Sequence, residues 1–299
     1  VTIPGEFIVV RANGLDFEVL TAGEGERLAL CLHGFPEHAV SWRLQIPLLV
    51  SLGYRVWAPN QRGYGNTTRP TQTRDYAIPR LLDDITALID ASGATTVTLI
   101  GHDWGAALCW FYAMRPARPI ERLVIMNVPH PKVFSRVLRT SWRQRFRSWY
   151  IVFFQVPRLP EWLLGLRGAR AIGDMFRQSA TDKTRFPDDV LAIYRAQAAR
   201  PGALRAMINW YRAARRSSRG PGGTATPRIA IPTLMIWGEE DVALGKETTY
   251  GTDEYVSDLR LHYLPGASHW VQQDAPERVN ELLHSFLGAP VAESLVQTA

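Results

Sequence analysis

Cysteine is almost missing from this chain of 299 residues: there are two, Cys31 and Cys109, each inside an apolar run. Two such thiols read as buried free cysteines and exclude a disulfide framework. With no Cys or His at ligand spacing, no metal site is expected. Long apolar runs are missing as well, and none reaches the roughly 18 residues of a membrane-spanning helix. Val1-Thr2-Ile3-Pro4-Gly5-Glu6 has no basic stretch followed by an apolar one, so no leader is visible and a cytoplasmic location is expected. Acidic residues are scarce in one region. Residues 131–227 hold 19 Lys and Arg against 5 Asp and Glu, a net +14 within a chain of net +6. The basic residues there alternate with apolar ones, as in Arg143-Gln144-Arg145-Phe146-Arg147. That alternation reads as solvated helix faces, and no nucleic-acid partner is expected.

The remaining composition, 46% hydrophobic and 21% charged, is that of a globular chain long enough for one large domain, or for one with an inserted subdomain. Residues 7–20 read as a hairpin around Asn13-Gly14. Short buried strands are expected at 28–32, 55–59, 97–100, 123–126, 233–237 and 260–264, with helical spacing at 81–89 and 106–114 between them. Buried strands alternating with helices argue for a mostly parallel sheet flanked by helices, an α/β fold. Residues 131–227 break that rhythm. They are rich in Trp, Phe, Tyr and Arg at helical spacing and read as an inserted helical lid, with 1–130 and 228–299 forming the core domain. The Gly- and Pro-rich stretch 219–227 reads as a flexible return link, and the tail after residue 287 as loose.

Gly101-His102-Asp103-Trp104-Gly105 follows the strand at 97–100 directly. The small-x-nucleophile-x-small shape is that of a sharp strand-to-helix turn carrying a reactive side chain; the plainer alternative for Asp103 is a helix N-cap. A carboxylate is already ionised near neutral pH. It suits attack on saturated carbon, giving an alkyl ester that water must hydrolyse, which narrows the chemistry to opening epoxides or displacing halide. Water attack needs a base with an acid to orient it. His269, in the loop after the last strand, is the candidate base. Asp241 is the candidate acid, with Glu239 and Glu240 as local competitors, while Asn127 after the earlier strand cannot serve as a carboxylate. The order nucleophile, acid, histidine is that of α/β-hydrolases. The ester's oxyanion needs N–H donors, and the amides of Trp104 and Phe35 are the candidates, Phe35 coming from His33-Gly34-Phe35-Pro36-Glu37.

These four segments, with Gly63-Tyr64-Gly65-Asn66-Thr67, resemble the α/β-hydrolase-fold epoxide hydrolases of soluble and bacterial type over nearly the whole chain. The resemblance extends to Trp149-Tyr150-Ile151-Val152-Phe153-Phe154-Gln155 and Asn209-Trp210-Tyr211-Arg212, and implies that Tyr150 and Tyr211 are the ring-opening phenols. Two phenol O–H groups can bind the epoxide oxygen and then protonate the alkoxide. The activity implied is conversion of an apolar epoxide and water to a vicinal diol, with no cofactor. The pocket is expected to involve Phe35, Pro36, Trp104, Trp149, Trp210 and Trp270. Trp142, Phe146, Trp149, Phe153, Phe154, Trp162, Phe176 and Trp210 suggest an aromatic-lined lid; most of these eight are expected to pack the lid itself, with those that face the pocket left open.

Two other functions stay open on sequence. A dehalogenase of the same fold shares the Asp nucleophile and Trp104, but has no need of two phenols, and the helix after Asp103 lacks the arginines that bind haloacid carboxylates. A catalytically silent binding protein of this fold would show no epoxide turnover. The oligomeric state is also open, a homodimer among the arrangements.

Overall fold

A computed structural model describes residues 1–217 and 226–288. The return link expected at 219–227 and the tail expected after 287 fall almost wholly outside these residues. Eight strands form one sheet: β1 (Glu6–Ala12), β2 (Leu15–Ala22), β3 (Arg27–Leu32), β4 (Arg55–Pro59), β5 (Thr96–His102), β6 (Arg122–Met126), β7 (Thr233–Gly238) and β8 (Leu259–Leu264). Their spatial order is β1-β2-β4-β3-β5-β6-β7-β8. β1 and β2 are a hairpin whose Asn13 and Gly14 both adopt positive φ, as a tight two-residue turn demands. β2 runs antiparallel to β4, and from β4 to β8 every neighbouring pair is parallel. β6 and β7 are buried along their whole length, because helices cover both faces; this is why such strands read as unbroken apolar runs.

The helices of the core are α1 (Ile46–Ser51), α2 (Ile78–Ser92) and α3 (Trp104–Met114). α2 turns Leu81, Ile85, Leu88 and Ile89 into the core at helical spacing and stops at Gly93, whose left-handed conformation ends it. Between β6 and β7 lie α4 (Pro131–Thr140), α5 (Trp142–Arg147), α6 (Trp149–Phe153), α7 (Leu159–Ser179), α8 (Asp188–Ala198) and α9 (Ala203–Ser217). α10 (Val271–Asp274) and α11 (Pro276–Leu287) close the described chain. α11 buries Val279, Leu283 and Phe286, an apolar spacing the sequence reading passed over. No helix among the described residues is long and apolar enough to cross a membrane.

Two buried amides fasten α5 and α8 to the sheet's loops. Gln144 donates to the Ala243 carbonyl at 2.9 Å and accepts from the Gly245 amide at 2.9 Å. Gln197 bonds the carbonyls of Pro36 and Glu37 and accepts from the Gly65 amide at 3.2 Å. The aromatic residues of this segment divide in a way the sequence did not show. Phe154, Phe176 and Trp210 are buried, whereas Trp142, Phe146, Trp149 and Trp162 are exposed. Four of the eight lid aromatics thus lie open, and the expectation that most of them pack the lid is corrected. Helical spacing alone does not say whether an apolar stripe has anything to pack against.

Candidate active site

The parallel strands β3, β5, β7 and β8 all end on the same edge of the sheet, where loops gather side chains that are far apart in sequence. β5 delivers Asp103 at φ 47° and ψ −122°, a sparsely populated conformation for a residue with a side chain. Asp103 makes no side-chain cap to α3, so the N-cap alternative does not describe it. The flanking glycines are demanded by close approach. A Cβ at Gly101 would strike the backbone of Ala106, and one at Gly105 the carbonyl of Leu32. Gly34 leaves room for Asp103 itself, since a Cβ there would meet the Asp103 side chain.

The Asp103 Oδ1 accepts the Phe35 amide at 2.7 Å, and its Oδ2 lies 3.6 Å from His269 Nε2. The second separation is that of an ion pair rather than a hydrogen bond. The Trp104 amide belongs to the first turn of α3, where N–H groups have no intrahelical acceptor. On the other side of the His269 ring, Nδ1 meets Asp241 Oδ2 at 2.7 Å. Asp241 is buried, and its Oδ1 accepts the amides of Ala243 and Leu244 at 2.8 and 2.9 Å. Of the three neighbouring acids, Asp241 is the one that reaches His269; Glu239 turns to Lys246, and Glu240 is exposed.

Electrostatics follow from this arrangement. Burial opposes a charged His269, but the carboxylates of Asp241 and Asp103 overcome it and raise its pKa to about 10. Burial likewise resists ionisation of Asp103, yet the adjacent His269 and the Phe35 amide hold its pKa below the usual carboxylate value. Burial, then the negative charge of Asp103, pushes both Tyr150 and Tyr211 up. Both phenols therefore keep their protons at any working pH.

Three polar residues near the site were given no role from sequence. Asn127, also at positive φ, donates to Asp241 Oδ2 at 2.8 Å and accepts from the Gly238 amide. It sits where a second acid was sought and braces the first. His102 is fully buried beneath the nucleophile. Its Nδ1 meets Glu37 Oε2 at 2.7 Å and its Nε2 meets the His269 carbonyl at 2.7 Å. Glu37 in turn accepts the Gly34 amide, so this pair ties together the loops that carry Phe35, Asp103 and His269. The signal was present, since both residues lie inside the motifs quoted, but a motif does not say which of its members face each other.

Above Asp103 opens a cavity of about 840 Å³ lined by Asp103, Trp104, Tyr150 and Tyr211 together with apolar side chains of α2, α3 and α4. The Tyr150 and Tyr211 rings stand edge to face at 6.0 Å. Tyr211 is wedged among Phe154, Trp104 and Phe35 at 4.9, 5.1 and 5.4 Å. Arg212 links the two helices, donating to the carbonyls of Phe154 and Val156 and pairing with Glu161 at 2.6 Å.

Of the six pocket residues expected from sequence, Trp104 lines the cavity and five do not. The Phe35 ring packs edge to face against Tyr211, and buried Pro36 gives its carbonyl to Gln197. The Trp210 indole donates to the Arg62 carbonyl, and that of Trp270 donates to Ser179 while its ring packs on Phe176. Trp149 is exposed, against Phe153. Phe134, Leu138 and Ile151 supply apolar wall instead.

The family pattern of the α/β hydrolase fold matches residues 30–276. Epoxide hydrolase 4 of Mus musculus is 36% identical over 94% of this chain and 79% of its own length. The AB hydrolase superfamily protein YfhM of Bacillus subtilis is 36% identical over 93% of this chain and 96% of its own. Among solved structures, an epoxide hydrolase mutant from Bacillus megaterium, complexed with its naphthyloxy-propanediol product, superposes with a TM-score of 0.86. It is 28% identical and aligns over 94% of this chain and 100% of its own. With its parallel sheet, its strand-to-helix nucleophile turn and these relatives, the chain belongs to the epoxide hydrolases of the α/β-hydrolase fold.

Proposed function

We propose that this protein converts an apolar epoxide and water to a vicinal diol through an ester on Asp103. Asp103 Oδ2 attacks one epoxide carbon while Tyr150 and Tyr211 hold the oxygen; as the C–O bond breaks, a phenol proton passes to the alkoxide. Alkylation removes the negative charge of Asp103, one of the two anions that keep His269 protonated. With that anion gone, the imidazolium gives up its proton, which restores the phenol left ionised by ring opening, and the neutral ring, held by Asp241, is able to take a proton from water. The hydroxide adds to Asp103 Cγ, and the negative charge collects on Oδ1, where the Phe35 amide already sits at 2.7 Å and the Trp104 amide is the second donor. Collapse expels the alkoxide, which takes the proton of the new carboxyl group; the diol leaves, the carboxylate is restored, and His269 is again protonated. Residues 131–227 act as the lid that supplies both phenols.

The observation that carries this reading is that two phenols and an ionised carboxylate line one cavity whose remaining wall is largely apolar. The test is incubation with an aryl epoxide and, separately, a terminal bromoalkane, measuring diol and free bromide, with Tyr150→Phe/Tyr211→Phe as the paired control. Diol without bromide, lost in the double variant, is expected. Bromide release that survives loss of both phenols would make the protein a dehalogenase, and no turnover of either substrate would leave a binding protein.

A further inference from the structure

The wall of the cavity has an outer side that the reaction does not use. Of the fourteen large apolar side chains exposed among the described residues, nine fall between 142 and 166. Trp142, Phe146, Trp149 and Trp162 are 69%, 75%, 59% and 61% exposed, far more than an indole or phenyl ring concedes to water without cause. They lie on α5, α6 and the start of α7. A left-handed turn at Arg167–Ala169 breaks α7 and separates exposed Trp162, Leu163 and Leu166 from buried Ile172 and Phe176 beyond it. Exposed Arg143, Arg145, Arg158 and Arg167 are interleaved with these rings, and the Arg143 guanidinium sits 5.8 Å from the Trp142 ring. From 131 to 160 the chain has seven Lys and Arg and no Asp or Glu.

We propose that this outer face of residues 142–166 docks on the surface of an anionic lipid bilayer, setting α6, which walls the cavity, at the lipid boundary. Short helices presenting Trp, Phe and Leu beside arginine have the composition of segments that lie in a membrane interface. The rings occupy the headgroup level, the aliphatic side chains reach the acyl boundary, and each arginine gains from lipid phosphate. A second copy of the chain fits less well. A symmetric dimer through this face would bring the same cations together, and residues 131–160 offer no carboxylate to pair with them. Single-stranded nucleic acid would use the rings and the arginines but leave Val152, Val156, Leu159, Leu163 and Leu166 without a role. The same segment gives Tyr150 and Ile151 to the cavity on its inner side. On the epoxide hydrolase reading, which docking itself does not require, the substrate class is then a lipophilic epoxide dissolved in the bilayer.

The experiment is flotation of the purified full chain with vesicles of phosphatidylcholine alone or of phosphatidylcholine with phosphatidylglycerol, with tryptophan emission followed in parallel. Flotation with the anionic vesicles and a blue shift on binding are expected, both weakened by high salt. Arg143→Glu/Arg145→Glu and, separately, Trp142→Ala/Phe146→Ala/Trp162→Ala should each weaken vesicle binding about tenfold or more. Both variants should turn over a water-soluble epoxide like the parent, which shows that they fold and reports on the enzymatic reading independently of lipid. Absence of flotation, equal binding to neutral vesicles, or binding to a single-stranded oligonucleotide in place of vesicles would overturn the assignment. So would a concentration-dependent dimer, seen by sedimentation, that the tryptophan variant abolishes.

Discussion

The floor and the roof of the cavity face the same space but are fixed by different forces. On the floor, Asp103, Asp241 and His269 are held by short hydrogen bonds, several of them to backbone amides, and by a strained turn at Asp103. In the roof, Tyr150 and Tyr211 are held by ring edges and by the clamp of Arg212 across α6 and α9. Hydrogen bonds fix direction closely, which a nucleophile and its base require. Edge-to-face rings fix position while leaving the phenol O–H groups to follow an oxygen as it leaves carbon. The outer surface of α5, α6 and the start of α7 is held far more loosely, its rings largely exposed. The three layers should therefore answer substitution very differently.

The largest effect belongs to the floor. Asp103→Ala should lower kcat on the order of 10⁴-fold or more and abolish covalent labelling by substrate, read from the mass of the intact protein. His269→Gln should stop the cycle one step later, so that the protein mass rises by one substrate equivalent and stays there. In a single turnover of the parent protein in ¹⁸O-water, the label should enter the Asp103 carboxylate and not the diol. Label in the diol would mean that water attacks carbon directly and that the ester is not on the path.

Next comes the roof. Tyr150→Phe/Tyr211→Phe should slow ring opening about 10²- to 10⁴-fold, with the melting temperature little changed, since the rings that do the packing remain. A large drop in melting temperature with activity intact would reverse the comparison and make the tyrosines packing residues. Asp241→Asn tests the link between acid and base. Removing one of two anions beside the imidazolium must lower the His269 pKa from about 10, which NMR titration of the ring would show as a midpoint at lower pH. An unchanged midpoint would mean that Asp103 alone sets the protonation of His269. The smallest effect belongs outside: Trp142→Ala should change stability by no more than about 0.5 kcal/mol and leave turnover of a soluble epoxide as it was.

How far the chain could be read without its fold follows the same layering. The strands at 28–32, 55–59 and 233–237 were legible because burial on both faces writes a continuous apolar run, and α2 because its apolar residues recur at one face's spacing. The strand-to-helix turn at Asp103 was legible because Gly101 and Gly105 stand where a Cβ has no room. The pocket wall was not. Phe35, Trp210 and Trp270 were expected to face substrate and instead meet neighbours that arrive from 211, 62 and 179. Asn127 and His102 went unread as site residues because their partners, Asp241 and Glu37, are 114 and 65 positions away.

The sequence by itself determined what is local: the element types, the order in which nucleophile, acid and base occur, and the glycines that let the nucleophile turn close. Tertiary structure alone decided what depends on direction. It brought Asp241 rather than Glu239 or Glu240 to His269, left five of six expected pocket residues out of the cavity lining, and left four aromatic side chains of the helical segment in the open. The reason is physical. A residue's backbone preference is carried by its neighbours in the chain, whereas the side chains and the solvent it meets are set by the packing of segments brought together from a distance.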